Sequence, residues 1–168
     1  MKATIIAENR DDLRRIIKEQ INLYGLECDL NHVDVSQITD MSFIFSVSHF
    51  NNDISRWNVS NVKEMAGMFS ESAFNGDISQ WDVSKVECMQ AMFSSAKFDK
   101  DISNWTPFKL EEVRGMFYNS RTPIPYWAEC KNFEREKLIK KYQFAKELNN
   151  ELAHELNENK NNESKLKI

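Results

Sequence analysis

Hydrophobic positions recur every 24 residues through the middle of the chain. Leu30, Ile54, Ile78 and Ile102 form one column, and Val33, Trp57, Trp81 and Trp105 a second. Val35, Val59 and Val83 form a third, and Ile38, Val62, Val86 and Leu110 a fourth. Met41, Met65, Met89 and Val113 are followed by Phe45, Phe69, Phe93 and Phe117. A fixed period in the twenties predicts repeats that stack to bury a continuous core. Within each unit, Asp-Ile-Ser is short and β-prone, which predicts a strand. Val62, Met65, Met68 and Phe69 have the i, i+3, i+6, i+7 spacing of one face of a two-turn helix. The expectation is an α/β, short right-handed solenoid of about four 24-residue coils. Ile54, Ile78 and Ile102 would stack in one ladder and Trp57, Trp81 and Trp105 in another, beside Met65, Phe69, Met89 and Phe93.

Outside the period the pattern changes. Residues 1–27 begin with a β-prone run, and Asn9 then offers an N-cap to a helix with Asp11 and Asp12 in its first turn. Leu13, Ile16, Ile17, Ile21 and Tyr24 make its apolar stripe, and Gly25 a left-handed stop. This predicts an N-terminal cap of strand and helix, ahead of the repeats at 28–121. In residues 122–156, Thr122-Pro123-Ile124-Pro125-Tyr126-Trp127 breaks the period and should lie over the last coil. A long helix follows, with Leu138, Tyr142, Ala145, Leu148, Leu152 and Leu156 at spacings of three and four. Its first turns should pack through Phe133, Leu138 and Tyr142. Residues 157–168 turn to Asn, Lys, Glu and Ser, which predicts a disordered tail.

Charge and composition narrow the function. The net charge is −4, and residues 28–121 hold thirteen acidic against eight basic side chains. That balance favours no nucleic-acid partner. Cys28, Cys88 and Cys130 are scattered and odd in number, as reduced cytosolic thiols are. The start shows no signal-peptide pattern and no stretch approaches a membrane span, so a cytoplasmic location is expected.

Candidate chemistry sits mostly in the repeat itself. Asp29, Asp53, Asp77 and Asp101 recur with Asn31, Ser55, Ser79 and Ser103. Such carboxylates could line a cation site, but Asp and Ser at these positions also close turns in every unit, which is the favoured reading. His32, His49 and His154 lack metal-ligand spacing, so no metal and no cofactor are expected. No nucleophile-elbow motif accompanies the serines, and the reading is non-enzymatic. The positions that the period leaves free are more informative. His32, Arg56, Gln80 and Asn104 share one column yet differ in charge and shape, and with Asp53, Asp77 and Asp101 beside them they are the expected binding face.

The unit Phe-Asn-x-Asp-Ile-Ser-x-Trp-(Asn/Asp)-Val-Ser-x-Val-x-x-Met-x-x-Met-Phe resembles the BspA-type leucine-rich repeats of bacterial proteins, which also form arrays in mycoplasma surface lipoproteins. The resemblance covers about residues 28 to 121. It implies a leucine-rich-repeat-like solenoid used for binding, here as a short, unanchored bacterial or prophage-type member. Together the residues and the resemblance point to a cytoplasmic module that binds a protein partner, with inhibition of a host factor as one form. One alternative is a structural protein that self-assembles through the C-terminal helix, with a homodimer as its form. A weaker one is an acidic mimic of nucleic acid.

Overall fold

Residues 4–129 and 132–165 are described by the structure, a computed structural model. Four regular elements are present among them: β1 (Ile5–Ile6), α1 (Arg10–Tyr24), β2 (Val33–Asp34) and α2 (Asn132–Lys165). Strands β1 and β2 pair in parallel, Ile5 against Val33 and Ile6 against Asp34. Asn9 caps α1 by accepting from the Asp12 N–H at 3.0 Å, and Gly25 ends it with φ +78°, donating its N–H to the Ile21 carbonyl. Leu13, Ile16, Ile17 and Gln20 turn inward from α1, whereas Tyr24, expected on the same stripe, is exposed.

The α/β leucine-rich-repeat-like solenoid of four coils is overturned. Between β2 and α2 the described residues include neither a strand at Asp-Ile-Ser nor a helix over Val62 to Phe69. Only single bridges occur there, Asp40 to Glu64, Glu64 to Cys88 and Cys88 to Glu112. The segments are runs of turns. In one run the N–H groups of Met68, Ser70 and Ser72 close onto the carbonyls of Met65, Gly67 and Phe69. The alternate N–H groups of Met65, Gly67, Phe69 and Glu71 leave the segment and donate to Cys88, Gln90, Met92 and Ser94, at 2.8–3.0 Å. A helix would have satisfied all of these donors locally. The i, i+3, i+6, i+7 spacing does not separate a helix from successive three-residue turns over so short a run, which is why the pattern misled. It did mark the inward positions: Val62, Met65, Met68 and Phe69 are all buried.

This alternation requires left-handed backbone at two places in each period. Phe43, Gly67, Ala91 and Gly115 form one such column, and Val47, Glu71, Ser95 and Asn119 the other, all with φ between +51° and +65°. Non-glycine residues are uncommon there, so the tertiary contacts hold the backbone in place. At Gly67 the glycine has a second reason, since an added Cβ would run into the ring of Phe43.

Inside, rings hold the segments together. Phe45, Phe69, Phe93 and Phe117 stack at centroid spacings of 5.8, 5.7 and 6.2 Å, with Phe74 and Phe98 each 4.4 Å from a neighbour in that column. Each tryptophan donates its indole N–H to a carbonyl of the Leu30/Ile54/Ile78/Ile102 column. Trp57 bonds Leu30, Trp81 bonds Ile54 and Trp105 bonds Ile78, at 3.0, 3.4 and 3.0 Å. Buried indoles need such a partner. Trp127 joins the series through the Ile102 carbonyl at 3.3 Å and stacks on Trp105, so the Pro-rich segment closes the core with an indole.

α2 then leaves the body. Arg135 and Ile139 are its buried side chains among those described, with Leu138 half-buried and Tyr142 stacked on Tyr126 at 4.2 Å. Arg135 donates to the carbonyls of Trp127 and Leu110, tying α2 to the last turns. The side chain of Phe133, expected in this contact, and Cys130 lie outside the described residues. α2 is helical as far as Lys165, through most of the stretch for which disorder was expected from Asn157.

Candidate interaction groove

The repeat places its aspartates before it places anything else. The carboxylates of Asp53, Asp77 and Asp101 each accept the backbone N–H two residues on, from Ser55, Ser79 and Ser103, at 2.8–2.9 Å. Asp29 does the same for Asn31, and Asp34, Asn58 and Asp82 repeat the device five residues later in the unit, at Ser36, Ser60 and Ser84. These are Asx turns, one before each inward Trp or Val. The Ser55 N–H and hydroxyl hold Asp53 below the usual carboxylate range, and those of Ser79 do the same for Asp77. At Asp101 the Ser103 hydroxyl leads, followed by its N–H. The three aspartates expected at the binding face are therefore committed to turns through one oxygen each.

The variable column is split in two. His32 and Arg56 flank a shallow depression near β2, beside Thr4 and Asn58. Gln80 and Asn104 instead line a groove of about 440 Å³ between the repeat surface and α2. The opposite wall is formed by Tyr142, Gln143, Lys146, Glu147 and Asn150, and Tyr126 lies at one end. Lys146 spans the groove, its Nζ donating to Asn104 Oδ1 at 2.6 Å. Lys146 also lies close enough to Asp101 to add to the lowering of its pKa. The helix wall was absent from the sequence expectation. Its signal was the polar i, i+4 pair Lys146 and Asn150, one face away from the leucines.

The groove is amide-rich. Gln80, Asn104, Gln143 and Asn150 offer both donors and acceptors, and Ser79 and Ser103 edge the repeat wall. Such a lining suits a partner that carries alternating N–H and C=O groups. Elsewhere the chemistry is quiet. Burial pushes the Cys88 thiol up, and the carboxylates of Glu64 and Glu112 in its column add to that, which disfavours a reactive thiolate. Among the described residues no group of three His, Cys, Asp or Glu side chains is placed to hold a metal ion. No described helix is long and apolar enough to cross a membrane.

A family model described as "Mycoplasma protein of unknown function, DUF285" matches residues 12–127, from α1 to the indole that closes the body. No curated protein and no solved structure matches the chain.

Proposed function

The chain belongs to the DUF285 family, whose description assigns no activity, and from the groove we propose that it is a non-enzymatic protein-interaction module. One observation carries this reading: Gln80 and Asn104, members of the column that the repeat leaves free to vary, face the polar side of α2 across a groove. A partner segment in extended conformation could exchange backbone hydrogen bonds with the amides on both walls, while Tyr142 supplies apolar contact. The resemblance of the unit to BspA-type repeats supports a binding role. In a protein of prophage type, that role would fall on a host factor.

The test is site-specific photo-crosslinking in extracts of the source cell. A benzophenone side chain at Gln80 or at Asn104 should capture the same protein, and the same group at exposed Lys109 should not. Filling the groove with Asn104→Trp should abolish capture from Gln80. If capture from Gln80 and Asn104 does not exceed that from Lys109, the groove is not the binding surface.

A further inference from the structure

We propose that α2 joins a second copy of this chain in an antiparallel two-helix coiled coil over residues 138–156. The surface concerned meets the groove at Tyr142, which stacks on Tyr126, and otherwise lies outside it. Arg135, Ile139 and Lys146 mark the side of α2 that faces its own body. At 100° per residue, the line through Leu138, Tyr142, Ala145, Asn149, Leu152 and Leu156 lies roughly 80° around the helix from that side. These six positions are spaced 4, 3, 4, 3 and 4, which is an unbroken a/d heptad seam. Past Ala145 none of the described residues covers it: Leu152 and Leu156 are 48% and 60% exposed, and Leu148, flanking the seam, 45%.

Charge selects the occupant and its direction. In heptad terms Lys141, Leu148 and Glu155 occupy successive g positions on one edge of the seam. An antiparallel copy faces g against g, so Lys141 meets Glu155 of the second copy twice and Leu148 meets its own equivalent between them. The facing layers are then Leu138 with Leu156, Tyr142 with Leu152, and Ala145 with Asn149. A parallel copy faces g against the following e, which sets Lys141 against Lys146 twice. On the other edge of the antiparallel pair the two Lys146 side chains approach, but each is held toward Asn104 of its own chain. The seam is thus self-complementary in one direction only, as a two-fold interface between identical chains requires.

Sedimentation of the full chain over a concentration series should show a monomer–dimer equilibrium. Lys141→Glu and Glu155→Lys should each weaken it by on the order of fivefold, the range for exposed ion pairs made twice. The chain carrying both changes should recover the original affinity, because the reversed charges pair again. Direction is read separately by oxidising an equimolar mixture of Ala145→Cys and Asn149→Cys chains, with the unsubstituted chain as the background for the native cysteines. An antiparallel pair gives mainly the mixed disulfide. A chain monomeric at every concentration, a double charge reversal that fails to restore dimerisation, or a preference for the two homodisulfides would each overturn the proposal. None of Lys141, Ala145, Asn149 and Glu155 lines the groove, so a failure of dimerisation can be told from a failure of the groove to bind.

Discussion

The turn-built body and the helix α2 handle the same physical requirement in opposite ways. Every backbone N–H must find an acceptor. In α2 each beyond the first turn finds one four residues back, so the helix can run to Lys165 without a neighbouring segment to complete its backbone. In the body, half of the donors in segments such as Met65–Glu71 find theirs only in the following segment, 23 residues on. One region is therefore locally complete, and the other exists only when its neighbours are in place. The apolar side chains follow suit. Body columns such as Met65/Met89 and Phe69/Phe93 are essentially sealed, whereas Leu148, Leu152 and Leu156 of α2 stand in solvent. The lesson is that a cooperative core and a surface available to others can be made from similar residues, separated by how the backbone is satisfied.

The comparison can be broken most forcefully in the body. Trp81→Ala removes a ring that is 4% exposed and leaves the Ile54 carbonyl without its indole donor. It should cost about 3–5 kcal/mol in denaturant melts, the range for a large truncation in a core. A loss under about 1 kcal/mol would show that the segments do not depend on one another.

The junction comes next. Arg135→Met keeps the bulk but deletes the donors to the Trp127 and Leu110 carbonyls. About 2–3 kcal/mol should be lost, as for hydrogen bonds from a charged group. Hydrogen exchange should also quicken in the first turns of α2 before it does in the Phe69/Phe93 layers. Uniform quickening in both would mean that α2 and the body unfold as one unit.

A smaller effect is expected in acid. The pKa values of Asp53, Asp77 and Asp101 lie below the ordinary 3.8 because the folded state donates hydrogen bonds to their ionised forms. Their contribution is complete above that ordinary value and is lost as the pH falls through the lower folded values. Stability should therefore decline below about pH 4. Asparagine keeps the acceptor without the charge, as Asn58 does for Ser60 in the wild-type chain. Replacing all three aspartates by asparagine should flatten the acid limb of the melting curve, and an unchanged limb would place the titration elsewhere.

The least effect belongs to the far half of α2. Leu152→Ser, measured at high dilution, should change the stability of the body by less than about 0.5 kcal/mol, as for an exposed side chain. A larger loss would mean that the leucine stripe is packed within the monomer.

Much of this was legible in the residues. The 24-residue period marked Ile54, Trp57, Met65 and Phe69 and their equivalents as inward positions, because burial follows hydrophobicity whatever the backbone conformation. Asn9 and Gly25 announced the ends of α1, and Asp before Ser announced turns, because those signals act within a few residues. The tertiary structure alone decided three things. It decided that the units are turns and not strand and helix, since the acceptors of Met65 and Phe69 lie in another segment and no local pattern names them. It decided that Val47 and Glu71 take left-handed backbone, which neither residue favours by itself. It also decided that Gln80 and Asn104 share a groove with Lys146 while His32 and Arg56 do not, because the direction in which α2 leaves Arg135 is set by the carbonyls of Trp127 and Leu110, which chain distance conceals.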